Sequence, residues 1–477
     1  MKREQILDMI GEAPHTYVDD AQRHRQPRRM RRWWLGAAAA MLAVVMLFHM
    51  PAIPMIITAK AVSSAAESRR RTYQQVPEAE RQAWWAENDL RAERLDAALP
   101  SIADFTQACS EVLLSGTDSE NCIWSPVNAY IALAMTAELT DGETQAELLS
   151  VLGAASVGEL RPRISAVWES AYEDNGNEIC ILANSLWLDR DLSYAKETMD
   201  ILAHDYYASV YQGDLGSSRT NRDIANWMKN QTGGFLTNRT GKVTLAPGDQ
   251  MLTMASTVYF QAKWSHEFDA GMNTDGLFHA PGGDVSCTFM NRKLAHMNYY
   301  WAEDFGAVQV FMKNGSSMWF ILPDEDKSVD DVLESDDYLR MLTLDDAFIS
   351  DHSRYMKVNL SVPQFDVSAG MDVKAGLQSL GVTKVFDWTQ NGFASSLQSK
   401  TSDYPVYLDS IHQDVRVKID EKGVTAASYI ELNFGAGAAA PPDEIIDFVL
   451  DRPFVFAVTK SGIPLFVGTV NCPQQNR

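Results

Sequence analysis

Residues 421–434 read Glu-Lys-Gly-Val-Thr-Ala-Ala-Ser-Tyr-Ile-Glu-Leu-Asn-Phe. Glu421, Lys422 and Gly423 open a run of small residues, and from Val424 onward the stretch alternates. Val424, Ala426, Ser428, Ile430, Leu432 and Phe434 fall on one side. Thr425, Ala427, Tyr429, Glu431 and Asn433 fall on the other. Strand side chains point to alternate faces, so this pattern suits a half-buried strand. The residues that follow, 435–442 (GAGAAAPP), read instead as an exposed loop of small residues. One segment thus carries the marks of a surface loop and of a sheet strand.

That segment resembles the hinge and reactive loop of the serpins, and other stretches agree in order along the chain. Residues 448–458 (FVLDRPFVFAV) match the family's C-terminal signature, and 463–473 (IPLFVGTVNCP) continue it. Upstream, 121–135 (NCIWSPVNAYIALAM) resembles the family's Asn-x-x-x-Ser-Pro helix start, and 182–188 (LANSLWL) its Ala-Asn strand. Residues 224–236 (IANWMKNQTGGFL) and 254–268 (MASTVYFQAKWSHEF) resemble two further family segments. The resemblance implies an α+β serpin fold: mixed β-sheets with surrounding helices and an exposed reactive loop.

It also implies suicide inhibition of a serine or cysteine protease. In the family the protease attacks the loop and forms an acyl-enzyme. The cut loop then enters the main sheet as a new strand and drags the protease to the far end. Carried over, the hinge is Glu421, Gly423, Val424, Thr425, Ala426, Ala427 and Ser428. Family members that inhibit usually have Thr or Ser where Val424 stands, but Val is uncharged and β-prone, so insertion is expected to survive. Tyr429 is large where the family prefers small, yet it falls on the outward side. Counting from Glu421 by the family spacing puts the scissile bond after Gly437, and aligning Pro441-Pro442 puts it after Ala438. Counting back from Pro453 puts it later still. Ala438, flanked by Gly437 and Ala439, is the reading taken. No Lys or Arg lies between Lys422 and Arg452, so a small-residue, elastase-like or subtilisin-like specificity is expected, with Phe434 a chymotrypsin-like alternative.

The family opens its main sheet at a buried polar cluster, the shutter. Ser125, Asn128 and Ser256 match its positions, with Asn128 and Ser256 exchanged relative to the usual pair. Gln413, not His412, stands at the family's frequent His position. Trp264 matches the Trp of the breach, beneath the upper end of the opening sheet.

The 477 residues divide into a basic head (1–32), an apolar span (33–57), a helical linker (58–99) and a serpin domain (100–477). Residues 22–32 carry six Arg and no acid, and 33–57 follow without a charge. About 20 apolar residues cross a bilayer as a helix. The Arg cluster predicts the head inside and the large domain outside, on a single-pass transmembrane signal anchor at the cell membrane. Cleavage within 58–66 (TAKAVSSAA) would instead release a secreted domain. In the linker, Pro77 and Glu78 mark a helix start, Trp85, Ala92, Leu95 and Leu99 recur at helical spacing, and Pro100-Ser101 predicts the stop.

The formal net charge is -22 although the head is basic, so the outer domain is strongly acidic. That disfavours nucleic-acid binding and favours a soluble monomer. The five Cys are scattered and form neither a disulfide framework nor a zinc pattern, leaving room for one disulfide. No nucleophile elbow, zinc helix, Walker loop or dinucleotide fingerprint is present. Neither enzyme activity nor a cofactor is expected. The competing reading is a non-inhibitory serpin, acting as a membrane-tethered binding module or a cleavable decoy.

Overall fold

Helix α1 (Arg81–Leu114) runs unbroken through Pro100 in the computed structural model of the chain, where the sequence predicts a stop. An internal proline costs about 3 kcal/mol through one lost hydrogen bond and a crowded turn. Leu95, Ile102 and Phe105 lie on both sides of it and are all buried. Each large apolar side chain so buried contributes about 1.5–3 kcal/mol, enough to carry the helix across. The expected boundary between linker and domain at residue 100 therefore falls inside one helix. The buried face also differs from the expected one. Trp85 is 52% exposed, while Trp84, Asn88, Arg91, Leu95 and Ala98 turn inward.

The structure describes residues 56–67, 76–116, 120–174, 179–232, 251–390, 392–400, 405–408, 411–424 and 444–473. Most of the apolar span, 33–55, lies outside them. Ile56 and Ile57, its last two residues, are described and are not helical. Among the described residues no helix is long and apolar enough to cross a membrane.

The main sheet has eight strands. Its order is β1 (Lys60–Ser63), β6 (Ala208–Gly213), β4 (Ile179–Asp189), β7 (Leu252–Lys263), β16 (Gly423–Val424), β15 (His412–Asp420) and β13 (Phe365–Asp372), with β3 (Glu173–Asp174) also paired to β4. The second sheet runs β17 (Ile445–Val449), β12 (Ser353–Pro363), β9 (Gly283–Trp301), β10 (Phe305–Phe311), β11 (Ser316–Pro323), β18 (Phe454–Lys460), β19 (Ile463–Val470) and β2 (Cys122–Trp124), with β8 (Thr274–Ala280) on β9. β5 (Leu192–Tyr194) and β14 (Leu397–Ser399) form a separate ribbon. Strands β11, β18 and β19 are buried at every residue, as their continuous apolar runs require of central strands.

Helix α2 (Pro126–Leu139) has no polar stripe and is buried on every side. It packs between β7 of the main sheet and β19 of the second, so the core lies there. Helices α3 (Gly142–Val151), α4 (Val157–Ala171) and α5 (Lys196–Asp205) surround it. Helix α6 (Ser218–Gln231) covers the other face of the main sheet over a small core of Ala183, Trp187, Ile224, Trp227 and Ala255.

The expected helical linker begins as a strand. β1 adds antiparallel to β6 at the sheet edge, pairing Lys60 with Gln212 and Ala61 with Tyr211. Ahead of it, Ile57 and Ala59 pack on the core under α6. The Thr58 hydroxyl donates to Asp223 Oδ2 at 2.7 Å. This segment is part of the body, not a spacer. All five cysteines are free thiols, so the disulfide allowed by the sequence is not formed. Burial pushes the Cys109 and Cys180 thiols up to about 12.

Candidate functional site

The main sheet is split between β7 and β15, and two residues are already wedged into the upper end of the split. Gly423 and Val424 form β16, antiparallel to both neighbours. Val424 lies between Ala262 and Ile419 and is 1% exposed, which sets the inward direction of the alternating stretch. A Cβ on Gly423 would lie 2.2 Å from the Ala262 carbonyl oxygen and 2.7 Å from Lys263 Cα. Glycine is required here by the close approach of β7 as well as by the turn.

Three carbonyls of the turn before β16 are clasped from one side. Trp264 Nε1 donates to Asp420 O at 2.9 Å. Trp264 N donates to Lys422 O at 3.0 Å, and Phe268 N to Glu421 O at 2.8 Å. Trp264 is fully buried. The Glu421 carboxylate accepts from Gln364 Nε2 at 2.7 Å and from Asn273 Nδ2. Arg292 lies 3.9 Å over the Phe268 ring, and burial lowers its guanidinium to about 10.

Lower down, β7 and β15 meet directly at one parallel pairing, Ser256 with Gln413. Gln413 accepts from Ser125 N at 2.7 Å and donates from Nε2 to Ser125 O at 3.0 Å. Ser125 Oγ donates to Leu465 O at 2.6 Å, tying this corner to β19. Ser256 Oγ lies 2.5 Å from Asn128 Oδ1 and 2.5 Å from Asn184 Oδ1. A hydroxyl carries one proton, so it donates to one amide and accepts from the other with that amide turned end for end. The structure thus gathers Ser125, Asn128, Ser256 and Gln413 at one place. Asn184 is a fifth member that the sequence reading missed. Its signal is an amide in the inward row Leu182, Asn184, Leu186, Leu188, of which every residue is buried. Thr425 to Ser428 of the hinge and Gly437, Ala438 and Ala439 of the reactive bond lie outside the described residues.

A family model described as Serpin (serine protease inhibitor) matches residues 100–473. The chain belongs to the serpin family. Its relatives include Serpin-ZX of Arabidopsis thaliana, 27% identical over 385 residues, covering 76% of this chain and 94% of the relative. Alpha-1-antiproteinase of Callosciurus caniceps is 25% identical over 388 residues, covering 79% and 89%. Among solved structures, the thermophilic serpin tengpin in its native state superposes with a TM-score of 0.69 at 23% identity, over 87% of this chain and all of that one. AtSerpin1 of Arabidopsis, in its native stressed conformation, gives 0.68 at 24% identity, over 79% and 98%. At those identities the structures speak for the fold alone. The family is one of protease inhibitors, not of enzymes, and its members act on target proteases. The matched segment begins at the proline inside α1, so in this serpin β1 and the first half of α1 lie ahead of it.

Proposed function

We propose that this serpin is a suicide inhibitor of a serine or cysteine protease that accepts a small residue in its primary pocket. It works as a monomer outside the cytoplasm, at the end of an N-terminal membrane anchor. The observation that carries the reading is the doubly paired β16. Counting six residues from Val424 reaches Ile430. The same six-residue step takes Ala262 to Ser256 on β7, and Ile419 to Gln413 on β15. Those two residues are the pair now in direct contact. Both registers therefore assign Ile430 the same seat, between Ser256 and Gln413.

Carried further, Phe434 falls opposite Leu252, the first residue of β7. Ala438 then lies four residues past that end, about 13 Å beyond the sheet. The inward set Val424, Ala426, Ser428, Ile430, Leu432 and Phe434 holds no charge and no proline, and Val424 is itself seated. The anchor is supported by the six Arg of 22–32 and the uncharged run after them.

The full-length chain in detergent, mixed with elastase-like, subtilisin-like and chymotrypsin-like proteases, tests this on denaturing gels and by mass spectrometry. A denaturant-stable adduct with a released peptide beginning at Ala438 or Ala439 is expected. Clean cleavage with no adduct, by every protease that cuts the loop, would sink the inhibitor reading in favour of a decoy.

A further inference from the structure

Helix α6 turns a basic side outward from a domain that is strongly acidic. Arg219, Arg222, Ala225 and Lys229 recur at helical spacing and are exposed, while Thr220, Ile224, Trp227 and Met228 are buried. The helix's one acid, Asp223, is 2% exposed and accepts from Thr58. Arg222 and Lys229 are in no ion pair among the described residues. Of the acids around the helix, Asp214 pairs with Arg190 at 3.5 Å, and Asp200, beside β1, with Lys196. Glu67 lies at the C-terminal end, lining a cavity with Asn230 and Gln231.

We infer that this side of α6 rests on the bilayer and binds the phosphates of its lipid headgroups. The inference rests on the anchor reading. The uncharged run 33–57 reaches the helix with no spacer. Ile57 packs on the small core under α6, and Asn226 Nδ2 donates to Ile56 O at 3.4 Å. Arg219 Nε donates to Thr58 Oγ1 at 2.7 Å. Ile56 itself is 80% exposed. Residues 33–55 still exceed the about 20 that a membrane helix needs. The chain therefore leaves the bilayer alongside α6, and the nearest outward charges are cations. Arg forks match phosphate oxygens, and each basic residue at an anionic surface contributes about fivefold to binding.

The strand registers favour this side over the end of the sheet. Lys60 pairs with Gln212, Gln212 with Leu188, and Leu188 with Leu252, so β1 begins at the end of the main sheet remote from Val424. Under the proposed trapping, Ala438 and the protease on it arrive beyond that same end. A domain standing on that end would set bilayer and protease in one space. Lying on α6, which covers one face of the sheet, it points both ends of the sheet along the bilayer and leaves them open.

The test uses the full-length chain in detergent and in nanodiscs of phosphatidylcholine with and without phosphatidylglycerol. The readout is labelling by a water-soluble maleimide of Ala225→Cys, with Glu334→Cys, exposed elsewhere on the domain, as control. The parent's own thiols, four of them buried, set the background. In nanodiscs with phosphatidylglycerol, Ala225→Cys is expected to label about tenfold more slowly than in detergent, and Glu334→Cys at an unchanged rate. Adding Arg222→Glu and Lys229→Glu is expected to bring Ala225→Cys back to within about twofold of its detergent rate. Vesicles of the same lipids, washed with alkaline carbonate and floated, report anchoring separately. Equal labelling of Ala225→Cys in detergent and anionic nanodiscs, with the chain resisting the wash, overturns the α6 contact and leaves the anchor standing. A chain removed by the wash overturns the anchor. Flotation with phosphatidylglycerol vesicles at neutral pH, abolished by Arg222→Glu with Lys229→Glu, then keeps the α6 contact; its absence, or its persistence in that variant, overturns both.

Discussion

Gln413 and Ser256 face each other as the one direct pairing of β15 with β7 among the described residues, six residues along each strand from the neighbours of Val424. Under the proposed insertion this contact has to part for Ile430 to take its seat. Ile430→Lys would bring an unpaired ammonium into that seat, at a cost of several kcal/mol. Tyr429→Lys changes the neighbouring residue on the outward side. The first variant is expected to convert inhibitor to substrate, and the second to leave most adduct formation intact. Adduct yield per cleaved chain, and the gain in unfolding temperature after loop cleavage, decide it. Loss confined to Tyr429→Lys would mean that the register is wrong by one residue, and equal loss in both would mean that neither position enters a one-sided strand.

One hydroxyl ties the β7 side of that pairing to α2 and β4. Ser256→Ala leaves the Asn128 and Asn184 amides, which are 1% and 2% exposed, without their shared partner. An orphaned buried amide costs about 1–3 kcal/mol. The variant is expected to unfold that much more easily in denaturant. In a double-mutant cycle Ser256→Ala and Asn184→Ala are expected to couple by 0.5 kcal/mol or more. Strict additivity would show that Asn184 does not belong to the cluster.

What could be read from the sequence was what short-range pattern encodes. The apolar runs of β18 and β19, the mostly apolar α2 and the alternation that places Val424 inward each follow from spacing within a dozen residues. Ser125, Asn128, Ser256 and Gln413 came together from family resemblance, because nothing local says that residues nearly 300 apart will touch. Asn184 stood in a quoted segment and went unread because nothing local ties its amide to a hydroxyl 72 residues further on. Pro100 misled because local helix rules omit the burial of Leu95, Ile102 and Phe105 around it. β1 was missed because a four-residue strand with a bulge has no usable period, and its reason to exist is the open edge of β6.

That edge supports a third prediction. Thr58 Oγ1 donates to Asp223 Oδ2 and accepts from Arg219 Nε, both at 2.7 Å. Asp223 is 2% exposed, so losing the donor leaves part of a buried carboxylate unsatisfied. Thr58→Val keeps the shape and removes the hydroxyl. It is expected to lower stability by about 1.5–3 kcal/mol and to speed amide exchange in β1 and β6 more than in β13. If exchange is unchanged while stability falls, Thr58 braces α6 alone and does not hold β1 to the sheet.

Glu147 on α3 gives the stability a dependence on pH. Its carboxylate accepts from the backbone N–H groups of Thr383 and Lys384, each at 2.8 Å, and pairs with the Lys384 ammonium at 3.2 Å. Burial alone would raise the group, but the Lys384 and Thr383 hydrogen bonds and the Lys384 charge outweigh it and hold the carboxyl below its ordinary value. A carboxylate lowered on folding contributes stability above its unfolded value, about 4.3. That contribution is lost as pH falls through the lower folded value. Glu147→Gln is therefore expected to cost about 1 kcal/mol at pH 7, the figure being reduced by solvent screening at this partly exposed site. The gap to the parent should narrow below about pH 4.3 and close once the folded-state carboxyl is also protonated. Denaturant melts of both proteins at pH 7, 5 and 3 check this. A gap that persists undiminished at pH 3 would assign the effect to packing of the side chain, not to its charge.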